Sequence, residues 1–250
     1  MPRPTLLMLH GFPHDHALWT EQMEGLSDLA EVIAPDLLGF GTGGAVPDVL
    51  TMEDYAADVK ALLDARGIER VVLGGLSMGG YVALAFLQRW PEGVQGLLLI
   101  NTRATADALD ARAAREATAM EVLANGTSVL ARAMLPRVLS EKTRREKPDV
   151  VAHVRSMMER QDPRAVAAAA RGMARRPDRS FLLPGVRVPA LVITGAEDEL
   201  MPLPTSQAMA EAIPGARLVV IPGVAHLSNM EDADHFNYVV RDFLRMVSHP

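Results

Sequence analysis

The chain has 250 residues, 49% of them hydrophobic, and its 25 Lys and Arg against 31 Asp and Glu give a formal net charge of −6. This length and apolar content are ample for one α/β domain that carries an insertion. Because the sequence has no cysteine, disulfides, thiolate metal sites and cysteine catalysis are excluded. The acidic balance also argues against nucleic acid as a partner, since no aromatic residues interleave with the arginines.

The first apolar run, residues 5–9, predicts a buried strand rather than a targeting segment. It is far too short for a signal peptide or a membrane span. We therefore expect a soluble cytoplasmic protein with no membrane partner.

Six apolar runs are strand candidates, and helical patterns separate them. Such alternation predicts a doubly wound, mostly parallel α/β sheet with helices on both faces and an active site outside the carboxyl ends of the strands. The strand candidates are 5–9, 31–34, 71–76, 94–100, 190–195 and 217–221, and the helical patterns are 51–66, 78–89, 205–212 and 233–247.

Ser77 lies in the segment Gly-Leu-Ser-Met-Gly-Gly, directly after an apolar run and directly before a helical pattern. In this context of strand, sharp turn and helix, a G-x-S-x-G match indicates a nucleophilic serine. The turn is tight enough to strain the serine backbone and to require glycine at positions 75 and 79. Because Met78 begins the helix, its free N–H points at charge that develops beside Ser77. The alternative is an ordinary Gly-rich turn with a capping serine.

A nucleophilic serine needs a base and an orienting acid, and the chain has both after later strands. His226 follows the last strand candidate and a Pro-Gly turn. Glu197, Asp198 and Glu199 lie in the loop after the strand candidate 190–195. Serine, then acid, then histidine, with acid and base each on a loop after a strand, is the chain order of α/β-hydrolase triads.

Residues 102–184 interrupt the alternation with four helical patterns. This segment holds 14 Arg and 2 Lys against 10 Asp and Glu, although the chain as a whole is acidic. One interpretation of the positive charge is that the segment attracts anionic substrates or binds electrostatically to the acidic rest of the protein. The alternative is that the charges lie on solvated faces of amphipathic helices. The four patterns are 107–123, 127–135, 149–161 and 163–176.

Several motifs together resemble the α/β-hydrolase family over nearly the whole chain. Among its members the chain looks like small bacterial carboxylesterases, perhydrolases and enol-lactonases, which share the segments GLSMGG and HLSNxE. The serine at position 77 argues against haloalkane dehalogenases and epoxide hydrolases, which use an aspartate nucleophile. The matching segments are 10–13, 36–41, 75–80, 195–198 and 225–231.

The resemblance implies an architecture and a set of site residues. Residues 1–101 and 185–250 would form the hydrolase core, and 102–184 a helical lid over the pocket. Asp198 matches the acid position of the family, although some members place the acid where this chain has Asn101. The family's antiparallel hairpin before the first strand has no counterpart here. This leaves the sheet shortened at its N-terminal edge, and that edge exposed or covered by a partner.

The backbone N–H groups of Phe12 and Met78 would form an oxyanion hole. Pro13 directly follows Phe12, as in perhydrolases, where such a proline helps hydrogen peroxide to replace water. In the expected lid, Met134, Met157 and Met158 are candidates for an adaptable substrate pocket, with lid-to-core packing as the alternative.

Two further motifs do not predict sites. His10, His14, Asp15 and His16 crowd together, but their spacing is not that of a recognised metal site. Residues 39–44 formally satisfy G-x-G-x-x-G, yet no helix follows to bind a pyrophosphate. We expect no metal and no cofactor.

The sequence thus predicts a serine carboxylic-ester hydrolase for small, fairly apolar esters, with lactonase or perhydrolase activity as related chemistry. Two alternatives remain open: a triad-bearing lyase or synthase like the menaquinone-pathway member of the fold, and a non-hydrolytic ligand-binding homologue. The expected partner is a small-molecule ester, and a homo-oligomer formed through the sheet edge or the lid is left open.

Overall fold

The computed structural model describes residues 3–42 and 44–248, with side chains to residue 247, and one parallel sheet organises them. The strand order is β2-β1-β3-β4-β5-β6, and every neighbouring pair is parallel. All six strands were predicted from the sequence. The strands are β1 Thr5–Leu9, β2 Glu31–Ile33, β3 Val71–Leu76, β4 Val94–Ile100, β5 Ala190–Gly195 and β6 Arg217–Ile221.

Helices cover both faces of the sheet, in the doubly wound arrangement that the sequence predicts. No helix in the described part of the chain is long and apolar enough to cross a membrane. The helices are α1 Thr20–Gly25, α2 Met52–Ala65, α3 Met78–Arg89, α4 Leu109–Asn125, α5 Thr127–Val138, α6 Glu141–Glu146, α7 Pro148–Glu159, α8 Pro163–Arg175, α9 Leu203–Ala212, α10 Ser228–Glu231 and α11 Ala233–Ser248.

Successive side chains of β1 alternate between two apolar clusters. Leu7 and Leu9 join the cluster beneath α2 and α3, whereas Leu6 and Met8 join the cluster that contains α11. A strand buried on both faces needs a continuous apolar run, because each face meets a layer of helices. This is why the central strands have no polar alternation in the sequence.

The sheet ends at β2 on its N-terminal side, so within the described residues no further strand lies beyond it. β2 has only three residues, one fewer than its pattern predicted. Short edge strands limit edge-to-edge association. The expected shortening of the sheet at this edge is therefore observed.

The helical insertion, which we define as α4 to α8, lies between β4 and β5. Helix α4 packs on α8 and α5 packs on α7. Four helices were predicted here and five are found, because α6 was missed. Its local signal is Ser140, whose side chain accepts a hydrogen bond from the Thr143 N–H and so caps the helix.

The insertion is attached closely to the core through α8. The Leu50 N–H donates to the Ala168 carbonyl oxygen over 3.1 Å. A Cβ atom on Gly172 would lie 1.6 Å from the Leu50 carbonyl oxygen, so only glycine permits this approach. Helix α8 thus lies against the loop before α2 as part of the main core.

Candidate active site

Ser77 occupies the sharp turn between β3 and α3 that the sequence predicts. Its backbone has φ 53° and ψ −113°, a conformation that non-glycine residues rarely adopt. A Cβ atom on Gly75 would lie 2.2 Å from the Gly79 carbonyl oxygen, and one on Gly79 would lie 2.2 Å from the Leu9 carbonyl oxygen. Both flanking glycines are therefore needed for the turn that presents Ser77.

His226 and Asp198 form a buried pair at the same edge of the sheet. The Nδ1 atom of His226 lies 2.8 Å from Oδ2 of Asp198. Asp198 follows β5 and His226 follows β6, so two neighbouring parallel strands bring the residues together. A proton on Nδ1 donates to the carboxylate, which leaves Nε2 as the free acceptor of the ring.

The loop after β5 distinguishes Asp198 from its two acidic neighbours. Asp198 is buried, whereas Glu197 and Glu199 are exposed. Oδ1 of Asp198 accepts hydrogen bonds from the N–H groups of Leu200 at 2.9 Å and Met201 at 3.0 Å. The carboxylate is therefore held by its own loop, with Oδ2 left for the histidine.

The pKa of Asp198 reflects two opposing effects. Burial raises this pKa, but the nearby His226 charge and the hydrogen bonds to the carboxylate outweigh it and bring the pKa below its ordinary value. Asp198 is consequently a carboxylate at neutral pH. It can orient an imidazole and stabilise its protonated form.

Asn101 is a member of this cluster that sequence reasoning did not assign. Its Nδ2 donates to Oδ2 of Asp198 at 2.7 Å and to the Ala225 carbonyl oxygen at 3.2 Å. Ser228 Oγ donates to Asn101 Oδ1 at 2.7 Å, and Asn101 itself has a φ of 45°. The available signal was a polar side chain directly after β4, at the edge that carries the triad candidates.

The loop after β1 is held by His10. The Leu37 N–H donates to His10 Nε2 at 3.0 Å, so Nδ1 carries the proton and donates to the Gly11 carbonyl oxygen at 2.9 Å. Burial lowers the pKa of His10, which keeps the ring neutral. Phe12 and Pro13 follow, are buried, and are joined by a cis peptide bond.

Met78, the other candidate donor, is the first residue of α3. Its N–H therefore lies outside the hydrogen-bond ladder of that helix. The loop after β1 and the start of α3 are neighbours, since a Cβ on Gly11 would lie 3.4 Å from Cβ of Ser77. The structure thus brings the Phe12 loop to the serine turn.

His14 is a buried residue that has no hydrogen-bond partner for either ring nitrogen within residues 3–42 and 44–248. Burial lowers its pKa to about 3, helped by the proximity of the His10 and His226 imidazoles. His14 is therefore neutral at physiological pH and lies within electrostatic range of the candidate base.

The three methionines predicted to bind substrate lie in apolar clusters. Met157 and Met158 are fully buried in the cluster that contains Trp19, and Met134 is half-buried against both clusters. Packing accounts for their burial, and their contact with a substrate stays a prediction.

Two arginines of residues 102–184 make ion pairs with the rest of the protein, whereas others, such as Arg171 with Glu116, pair within that segment. Arg160 binds Asp15, and Arg179 binds Glu53. These contacts correspond to the alternative in which the positive insertion seats itself on the rest of the protein.

Two of the four crowded residues, Asp15 and His16, lie beside Asp36 in the structure. Asp15, His16 and Asp36 place donor atoms within 4.8 Å of one another, but His16 Nδ1 bonds to Asp36 at 2.7 Å. Both oxygens of Asp15 already bind Arg160, whose guanidinium supplies the positive charge there. In the G-x-G-x-x-G segment Gly43 lies outside the described residues, and the next helix begins only at Met52.

Comparison with known proteins agrees with this fold. The sequence profile of the alpha/beta hydrolase fold family matches residues 4–233. The chain belongs to this family. A thermophilic esterase from Thermogutta terrifontis is 42% identical, with a TM-score of 0.95 over 98% of this chain and 92% of that one.

Two enol-lactonases are also similar to this alpha/beta hydrolase. That of Burkholderia xenovorans LB400 is 31% identical, with a TM-score of 0.91 over 98% of this chain and 92% of that one. The 3-oxoadipate enol-lactonase 2 of Acinetobacter baylyi is 25% identical, over 97% of this chain and 89% of that protein. These homologues are hydrolases, which agrees with the hydrolase function predicted from the sequence.

Proposed function

We propose that this alpha/beta hydrolase is a serine carboxylic-ester hydrolase for small, fairly apolar esters. The observation that carries the proposal is the buried Asp198–His226 pair at the sheet edge where Ser77 is held in a strained turn. The similarity to the Thermogutta esterase and to two enol-lactonases supports an ester or lactone carbonyl as the target.

The proposed reaction begins when His226 Nε2 takes the hydroxyl proton of Ser77 as the serine oxygen attacks the ester carbonyl. Asp198 holds the imidazole in the required tautomer and stabilises its positive charge. The N–H groups of Phe12 and Met78 bind the oxyanion. Collapse transfers the proton to the leaving alcohol and leaves an acyl-enzyme, which water then hydrolyses.

In this proposal the segment 102–184 is a lid over the pocket and contributes Met134, Met157 and Met158 to it. Lactonase activity would use the same steps on a cyclic ester. Perhydrolysis would use hydrogen peroxide in place of water, with Pro13 beside the incoming nucleophile.

The decisive experiment is hydrolysis of p-nitrophenyl acetate and butyrate by the wild type and by Ser77→Ala. We expect the variant to fold normally and to lose on the order of 10⁶-fold in turnover, as when triad nucleophiles are removed. Ser156→Ala, which changes an exposed serine of α7, is the matched control and keeps full activity. A fluorophosphonate probe should label Ser77 alone.

The two other functions predict a different result. A lyase that uses the triad only as a base, or a ligand-binding homologue, would turn over activated esters little, and Ser77→Ala would then change the rate little. Wild-type turnover that survives in Ser77→Ala would likewise overturn the proposal.

A further inference from the structure

Arg160 and Gln161, in the turn between α7 and α8, contact the loop after β1 through one carboxylate. Arg160 Nε lies 2.7 Å from Asp15 Oδ2, and Arg160 Nη2 lies 2.6 Å from Asp15 Oδ1. Gln161 Nε2 donates to Asp15 Oδ2 at 2.8 Å. A bidentate guanidinium–carboxylate contact fixes the relative orientation of the two groups as well as their distance.

Asp15 is almost fully buried, and Arg160 is the cation that pairs with its carboxylate. Oδ1 also accepts from the Ala17 N–H at 3.0 Å, so both oxygens are used. Loss of Arg160 would leave the buried Asp15 carboxylate without its positively charged partner, which disfavours its present position. The position of the Asp15 side chain therefore depends on where Arg160 is.

Asp15 is connected through a short, hydrogen-bonded loop to the Phe12 N–H, the proposed oxyanion donor. It lies three residues after Phe12, and the turn between them is closed by the His14 N–H, which donates to the Gly11 carbonyl oxygen at 3.0 Å. The other end of this loop is held by the ring of His10. A shift of Asp15 is therefore transmitted to the Phe12 N–H rather than absorbed by a flexible linker.

Gln161 joins a third segment to the same cluster. Its Oε1 accepts from the Gly41 N–H at 3.0 Å, while its Nε2 also donates to the Met157 carbonyl oxygen at 2.7 Å. Gln161 is buried, so these bonds are formed out of solvent. The helical insertion, the loop after β1 and the loop after β2 thus meet at one hydrogen-bonded cluster.

We propose that Arg160 and Gln161 are positioning residues that act through Asp15 to hold the Phe12 N–H in place, so that the oxyanion hole is complete only when the helical insertion is seated. The inference rests on the proposed function and adds a coupling between the insertion and transition-state binding. Arg160 and Gln161 touch no reacting atom in this scheme.

The test compares Arg160→Gln and Arg160→Lys with Arg164→Gln. Arg164 lies four residues after Arg160 and is a matched control, because it makes an exposed ion pair with Asp162. Arg160 is itself 42% exposed at its side chain, so its variants should fold. Each protein is assayed for kcat and KM with p-nitrophenyl butyrate and for inhibition by phenylboronic acid.

Phenylboronic acid reports on the oxyanion hole without turnover. The Ser77 oxygen forms a bond to boron as its proton passes to His226, and the resulting tetrahedral boronate places an oxygen where the oxyanion would lie. Binding of this adduct should weaken in proportion to any displacement of the Phe12 N–H.

For Arg160→Gln we expect kcat to fall by about 10- to 100-fold, because small displacements of catalytic groups cost this much. The inhibition constant of phenylboronic acid should rise by a similar factor, while KM changes less than about threefold. Arg160→Lys keeps the charge but loses the bidentate contact, so its kcat and inhibition constant should be intermediate. Arg164→Gln should match the wild type in both.

Unchanged kcat and phenylboronic acid inhibition in Arg160→Gln, with only KM raised or thermal stability lowered, would overturn the inference and leave a purely structural contact. Failure of the proposed function is distinguishable from this. A wild type that binds phenylboronic acid without ester turnover would refute the hydrolase proposal, while the affinity comparison would still decide the coupling. A wild type that shows neither would refute both.

Discussion

Two buried carboxylates, Asp107 before α4 and Asp198 after β5, meet different kinds of partner. Asp107 lies within 3.3 Å of three guanidinium groups, those of Arg103, Arg115 and Arg176. Burial raises its pKa, but Arg176 first and then the other arginines outweigh that effect and lower it. Because arginine stays charged at every accessible pH, Asp107 is neutralised permanently.

Asp198 has no guanidinium partner among the residues described. Its oxygens bind one titratable imidazole, an amide side chain and two backbone N–H groups. The amide and the N–H groups solvate the carboxylate without cancelling its charge, which remains available to stabilise a protonated His226. The comparison separates a buried carboxylate that joins elements from one whose charge remains available to the proposed base.

The arginine cluster also reaches the helix behind the serine. The Arg176 guanidinium stacks 4.0 Å from the centre of the Tyr81 ring, and Tyr81 lies on the first turn of α3. Asp107 therefore joins both ends of the helical insertion to the helix that begins beside Ser77.

The largest expected effect tests whether the charge of Asp198 is used in turnover. Asp198→Asn should lower ester turnover by roughly 10⁴-fold, because the amide no longer selects the correct imidazole tautomer or stabilises its charge. The measurement is kcat with p-nitrophenyl butyrate. Glu197→Gln and Glu199→Gln are the matched controls and should be mild, because both side chains are exposed. A severe effect at either glutamate would show that Asp198 is not the acid.

A smaller effect, on stability, should follow from loss of the arginine partner. Asp107→Ala leaves the buried Arg176 uncompensated and should lower the free energy of unfolding by about 3–5 kcal/mol, measured by urea denaturation. Turnover per folded molecule should change little, in contrast to Asp198→Asn. Glu146→Ala removes an exposed ion pair with Arg145 and should leave the denaturation midpoint unchanged. Equal midpoints for both variants would contradict a joining role for Asp107.

An effect that is absent at neutral pH and appears only in acid comes from His14, a buried ionisable group whose ring nitrogens have no hydrogen-bond partner within the described residues. Its pKa falls from an ordinary 6.5 to about 3 on folding, mainly through burial. Between pH 6.5 and pH 3 the unfolded chain therefore binds a proton at His14 that the folded protein does not bind. The stability that comes from the neutral, buried ring is fully present above pH 6.5 and is lost as the pH falls toward 3. The slope is about 1.4 kcal/mol per pH unit.

His14→Leu should remove the part of the decrease in the free energy of unfolding at low pH that His14 causes. Urea denaturation of the wild type and the variant at pH 7, 5 and 4 measures it, with His235→Leu, a half-exposed histidine of α11, as the control. Parallel pH profiles for the wild type and His14→Leu would show that His14 does not stay neutral in the folded protein.

Much of the fold was predictable because its signals are local. Each strand is a short apolar run, and some helix starts have a side-chain cap, such as the Thr51 and Asp54 capping box of α2. The insertion was predicted less well. Helix α6 is short and polar, so no apolar periodicity marks it. Helix α5 continues through Pro136 to Val138, three residues beyond the predicted end at residue 135.

The sequence by itself determined the doubly wound class, the serine turn and the order of serine, acid and histidine, because each depends on neighbouring residues or on where a strand ends. Tertiary structure alone decided the partners. Asn101 and Asp198 meet across 97 residues of chain, and Asp15 and Arg160 across 145. Such contacts leave no local pattern, since they depend on how strands pair and how the insertion packs. The side chains that orient the acid and hold the loop after β1 therefore emerged only from the folded molecule.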